Sequence, residues 1–94
     1  MKNITAAQCM AELGHTRRLT IYKLLVKAGP SGMTVGEISR KLKIPGSTLS
    51  HHLRRLCSAG LIKQNQEKQT IYCSAVFERL NSLISFLTEE CCQG

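Results

Sequence analysis

Three groups of residues carry chemistry in this chain. The first is a set of five cysteines, Cys9, Cys57, Cys73, Cys91 and Cys92. Their number is odd and no CxxC spacing occurs, which argues against a disulfide framework or a zinc ribbon. Reduced thiols of this kind suit soft-ion or redox chemistry, and the vicinal pair Cys91–Cys92 stands out. The second group is His51–His52. Adjacent residues on a helix diverge by about 100°, so the two rings cannot easily share one ion. The third is a basic stretch: between Ile38 and Gln66 there is no acid, yet Arg40, Lys41, Lys43, Arg54, Arg55 and Lys63 lie there. A concentrated run of cations is an electrostatic footprint for phosphate.

Composition narrows the classes. The 94 residues fit one domain, 1–94, and carry a formal net charge of +7 with all six acids being Glu. Hydrophobic residues make up 43% and aromatics 4%, so the chain should fold around Leu, Ile, Val and Ala. A domain this small buries a modest fraction of its surface, and a core shared between two subunits would help it. No apolar run approaches the roughly 20 residues needed to span a bilayer. The opening "MKNITAAQCM" lacks the apolar core of a secretory signal, so a cytoplasmic location is expected. No Ser/His/Asp set, paired acids or Gly-rich phosphate loop is evident, so an enzyme is not expected.

The elements that must position these residues are punctuated by Gly and Pro. Thr5 through Gln8 reads as a capping box, with Ile4 and Cys9 as its staple, opening a short helix that ends near Gly14. A second helix runs from about Thr16 to Ala28, with Leu19, Tyr22, Leu25 and Val26 as its stripe. These two form a core segment, 5–28. Thr34–Glu37 is another capping box, with Met33 and Ile38 as its staple, opening a third helix that reaches Leu42. After the break "KIPG", a fourth helix carries Leu49, Leu53 and Leu56 to Gly60, with Pro45 suited to its first turn. Two β-like runs follow, Leu61–Gln64 and Gln69–Ser74, joined by a polar tip at Asn65–Lys68. Val76–Glu90 is an amphipathic helix with the seam Phe77, Leu80, Ile84, Leu87 and Cys91. The order predicts a mainly α fold with a small β-hairpin wing: a winged helix-turn-helix, with the helix-turn-helix at 34–60, the wing at 61–74, and a terminal helix and tail at 76–92.

In such a fold the second helix of the helix-turn-helix enters the major groove. The leucines of "GSTLSHHLRRL" must face the core. Ser47, Thr48, Ser50, His51, Arg54 and Arg55 are left to face elsewhere, hydroxyls and imidazoles toward base edges and arginines toward phosphate or guanine. Lys63 and Lys68 on the wing are placed for backbone or minor groove. His15 reads as a capping or surface residue.

"VGEISRKLKIPGSTLSHHLRRLCSAGLI" followed by "QTIYCSA" resembles the ArsR/SmtB family of bacterial metalloregulators, and "GHTRRLTIYKLL" resembles that family's second helix. The match covers nearly the whole chain. The resemblance implies a homodimer held through the first and last helices, repression of a palindromic double-stranded DNA operator, and release when an inducer binds. It also places Ser47, Thr48, Ser50, His51, His52, Arg54 and Arg55 in the recognition helix.

The resemblance further says where inducer ligands lie. Arsenic sensors with a Cys-Val-Cys type motif at the third helix would need thiols in "GMTVGEI", which has none. Zinc sensors use Asp, His and Glu on the last helix, and Val76–Glu90 contains no Asp or His. What remains is "LTEECCQG", similar to members whose C-terminal thiols sense arsenicals. Thiolates prefer soft centres, and a methylated arsenical, with one permanent carbon bond, needs only two sulfurs. Arsenite would do better with a third, for which Cys9 is the tentative candidate. Cys9 also reads as a mere staple residue, Cys57 as a small core or edge residue and Cys73 as packed. Two alternatives stay open: a thiol-based redox or reactive-sulfur response, with a disulfide from Cys91 or Cys92 to Cys9, and a winged-helix module for protein interaction. No cofactor is expected beyond the inducer.

Overall fold

The computed structural model describes all residues, Met1–Gly94. Its elements are α1 (Asn3–Leu13), α2 (Thr16–Ala28), β1 (Met33–Thr34), α3 (Val35–Leu42), α4 (Gly46–Ser58), β2 (Ile62–Glu67), β3 (Thr70–Ala75) and α5 (Phe77–Thr88). The winged helix-turn-helix expected from the element order is what the chain forms. The core gathers Ile21 and Leu25 from α2, Ile38 from α3, Leu49, Leu53 and Leu56 from α4, and Leu61, all fully buried. Cys9 and Cys73 complete it.

The first helix starts earlier than its apparent capping box. Asn3 is already helical and Lys2 caps it without a side-chain hydrogen bond. The run from Thr5 through Ala7 and Gln8 contains no helix breaker, so the helix propagates through the Thr. No staple forms there either, because Ile4 is 67% exposed while Cys9 is buried. In α2 the inward face is Arg18, Ile21, Tyr22 and Leu25, and Leu19 points out. The buried stripe is therefore rotated from the expected one, because Arg18 turns inward to meet an acid of α1.

The capping box at Thr34 is present. Glu37 N–H donates to Thr34 Oγ1 at 3.1 Å and Thr34 N–H to Glu37 Oε1 at 3.0 Å. These bonds hold the Glu37 carboxyl below its usual range. Helix α4 closes with the two bonds of a Schellman motif, Leu61 N–H to Leu56 O and Gly60 N–H to Cys57 O. Gly60 takes φ +72, and Arg79 packs where a Cβ would stand.

The sheet order is β1-β3-β2, antiparallel throughout. The hairpin is longer than the sequence suggests, running from Ile62↔Ala75 to Glu67↔Thr70. Only Lys68 and Gln69 form the tip, and Lys68 adopts φ +58. Cross-strand backbone bonds continue through polar residues that have no core to face, so alternation fades before the strand does. Two-residue β1 pairs Met33 with Cys73 and Thr34 with Tyr72. It is too short to show a period.

Helix α5 stops at Thr88, so Cys91 does not continue its seam as expected. Two carboxylates, Glu89 and Glu90, stand at the negative end of the helix dipole, where acids disfavour further turns. The residue α5 buries is Leu83, which lies outside the expected seam, while Ile84 and Leu87 of that seam are 53% and 56% exposed. No helix is long and apolar enough to cross a membrane.

Candidate nucleic-acid interface and cysteine tail

The helix-turn-helix is set by its turn. Lys43 takes the left-handed conformation at φ 54 and ends α3. Ser39 Oγ donates to Ile44 O at 2.7 Å, and Ile44 N–H returns a bond to Ser39 O at 3.2 Å. Pro45 stands just before α4 as its cap, one residue earlier than a first-turn position. Buried Ile44 anchors the corner. The angle between α3 and α4 is therefore fixed by backbone and core together.

On α4, Leu49, Leu53 and Leu56 face inward. Ser47, Ser50, His51 and Arg54 are exposed and Thr48 is half-buried. Arg54 makes no ion pair. Short hydroxyls in the first turns, with an unpaired guanidinium behind them, form a surface suited to base edges and phosphate.

His52 is not on that surface. It is buried, and Arg18 Nε donates to its Nδ1 at 3.3 Å. His15 and His51 pack their rings at 4.8 and 5.7 Å from it. Burial, then the positive charge of Arg18, lowers its pKa and keeps the imidazole neutral. The expectation that His52 reads DNA is corrected: one residue of the His pair faces out and the other braces α4 against α2, following the 100° divergence of neighbours.

Arg55, also expected to meet DNA, has a partner inside the chain. Its Nε and Nη2 donate to Glu12 Oε1 and Oε2 at 3.1 and 3.0 Å. Glu12 at the same time holds Arg18 Nη1 at 2.6 Å. Glu12, which pairs both arginines, has no counterpart among the residues singled out from the sequence. It lies 43 positions from Arg55, and no local periodicity links them. The available hint was an acid flanked by apolar residues in "MAELG", within a chain short of acids.

The wing lysines are exposed but apart. Lys63, the second residue of β2, pairs with Ser74 near the wing's base, and Lys68 is at the tip. Five residues of strand separate them by roughly 17 Å.

At the other end, Cys91 and Cys92 are exposed with their sulfurs 3.3 Å apart. Glu90 and Cys92 both take positive φ, 58 and 66, in the turns beyond α5. Cys9 is elsewhere: fully buried, its thiol donates to Ala59 O at 3.5 Å, and desolvation raises its pKa. Burial likewise raises Cys57 and Cys73. Within one chain no three His, Cys, Asp or Glu side chains are arranged to hold a metal ion.

Comparison with known proteins agrees with this geometry. A family profile described as "Helix-turn-helix domain" matches residues 13–65. The chain is 36% identical over 89% of its length to an uncharacterized HTH-type transcriptional regulator, MJ1325 of Methanocaldococcus jannaschii, covering 92% of that protein. It is 32% identical over 93% of its length to the HTH-type transcriptional regulator YgaV of Escherichia coli, covering 86% of it. Among solved structures it resembles HlyU from Vibrio cholerae, with TM-score 0.76, 28% identity, and coverage of 99% of this chain and 100% of that one. The homodimeric winged helix-turn-helix domain of Mb0332 from Mycobacterium bovis, a possible ArsR-family regulator, matches at TM-score 0.72 and 27% identity, with 92% and 80% covered. The chain belongs to the ArsR family of winged helix-turn-helix, DNA-binding transcriptional regulators.

Proposed function

We propose that this regulator is a homodimeric repressor released from a palindromic operator by trivalent arsenicals bound at Cys91 and Cys92. The carrying observation is the tail itself: two exposed thiols with sulfurs 3.3 Å apart, just beyond a helix whose Ile84 and Leu87 lack cover. Sulfurs so close can both bond one soft centre with little movement of the chain. A second copy covering Ile84 and Leu87 would make α5 the seam of the dimer, so that a ligand on the tail acts where the two subunits meet. Two recognition helices related by a twofold axis reach successive major grooves about 34–36 Å apart. A small shift at the seam changes that spacing, and the inducer works by favouring the weakly binding arrangement. The homodimeric state of the Mb0332 domain supports the assembly.

Two thiolates match an arsenical that already carries a carbon substituent, so methylarsenite is the preferred inducer. Cys9 is not needed, since drawing it out would open the packing of α1 on Ala59. A redox reading draws on the same sulfur proximity: oxidation by peroxide or polysulfide would join Cys91 and Cys92.

The test is binding to a duplex from the promoter of the protein's own gene, with and without methylarsenite, arsenite, zinc and hydrogen peroxide. Wild type should release with methylarsenite, Cys9→Ser should behave likewise, and Cys91→Ser/Cys92→Ser should stay bound. Release by methylarsenite in the double variant would refute the site. Release by peroxide alone would replace the arsenical with an oxidant.

A further inference from the structure

The sequence has thirteen Lys and Arg against six Glu, so most cations have no acid to meet. One acid nevertheless takes both ion pairs of the structure. Glu12 of α1, its side chain 11% exposed, lies between Arg18 of α2 and Arg55 of α4. Its two partners differ. Arg18 is itself buried and also donates to Glu12 O and to His52. Arg55 remains 53% exposed, with two donors of its fork laid along the two carboxylate oxygens. An arginine grips a phosphate in the same way.

The geometry points to Glu12 as an internal stand-in for a DNA phosphate, holding Arg55 of the recognition helix away from the duplex backbone. This inference rests on the DNA-binding assignment and refines it. Helix α4 then offers the backbone Arg54 alone rather than an arginine pair. Only a cation that neutralises a phosphate releases a counterion on binding, and the Nε and Nη2 donors of Arg55 already meet a carboxylate, which it shares with Arg18, inside the protein. The pair is held against a mostly buried carboxylate, where attraction is screened less than on open surface. A regulator depends on the ratio of specific to non-specific affinity. A free second arginine would strengthen binding to every duplex alike. Glu12 is thus a positioning residue that sets specificity without touching DNA.

The experiment measures binding of labelled promoter and scrambled duplexes by fluorescence anisotropy across a range of salt concentrations. Arg55→Ala should leave the slope of log affinity against log salt unchanged. Glu12→Gln keeps a hydrogen-bond acceptor for Arg18 but drops the charge. It should steepen the slope on the scrambled duplex by about 0.9 per protomer and lower the promoter-to-scrambled ratio. Glu12→Gln/Arg55→Ala should return to the wild-type slope. A flatter slope for Arg55→Ala overturns the proposal, as does an unchanged slope for Glu12→Gln or steepening that persists in the double variant. Thermal melts monitor folding, and if Glu12→Gln does not fold, Arg55→Ala decides alone because it leaves the Arg18 pair intact. Wild type that binds no duplex removes the DNA assignment and this proposal together; failed slopes with normal wild-type binding remove this proposal only.

Discussion

Arg18 Nε donates to Nδ1 of His52 across 3.3 Å, joining the second helix to the reading helix from inside the molecule. The bond needs an imidazole with an unprotonated Nδ1, since a doubly protonated ring offers no acceptor. Burial and the neighbouring guanidinium both favour that neutral form.

A pH dependence follows from that bond. The folded-state pKa of His52 lies below the unfolded one, so the unfolded chain binds more protons between the two values. The contribution to stability is complete above the unfolded value, about 6.5, and is lost as pH falls through the folded value. Melting temperature should fall as pH is lowered from neutral, and His52→Gln should flatten this dependence. An equally steep profile in His52→Gln would place the acid sensitivity elsewhere.

Arg54 is exposed and unpaired on the outer face of α4. Arg54→Ala should weaken binding to promoter and scrambled duplexes alike and reduce the salt slope by about 0.9 per protomer, one phosphate contact. Titration at several salt concentrations reads this directly. A loss confined to the promoter duplex would instead assign Arg54 to a base edge.

Ile84 and Leu87 stand on α5 with more than half their surface in water, whereas Leu83 beside them is buried. Ile84→Lys/Leu87→Lys should turn a dimer into a folded monomer, because the charges fall on the proposed seam and spare the core. Sedimentation velocity with circular dichroism separates the outcomes. A double variant that stays dimeric would move the interface elsewhere.

The Thr34–Glu37 box supplies two partners for otherwise unpaired N–H groups at the start of α3. Thr34→Ala should cost on the order of 1 kcal/mol of stability, measured by urea unfolding. Glu37→Gln, which can keep the reciprocal bond, should cost less. Equal losses would mean that the Glu37 charge at the helix terminus matters more than the hydrogen bond it accepts.

The capping box at Thr34 was legible in the sequence because its four residues are contiguous and its bonds are local. The leucines of α4 were legible because burial repeats every three or four residues along a helix. The box at Thr5 read equally well and does not form, since a cap signal competes with propagation and nothing upstream stops the helix. The wing showed where it is apolar and vanished where only backbone pairing sustains it.

Residue order alone determined the succession of elements, the helix-turn-helix, the family and the vicinal pair of thiols, since each is written in neighbours or near-neighbours along the chain. Only the tertiary structure decided which polar residues of α4 stay unpaired on its outer face. His52 and Arg55 are chemically fit to meet DNA, yet Arg18 and Glu12, 34 and 43 positions away, hydrogen-bond to them inside the chain. Contacts between charged side chains so distant in sequence leave no period to read. They exist because packing α1 and α2 against α4 brings unlike groups together where water is scarce.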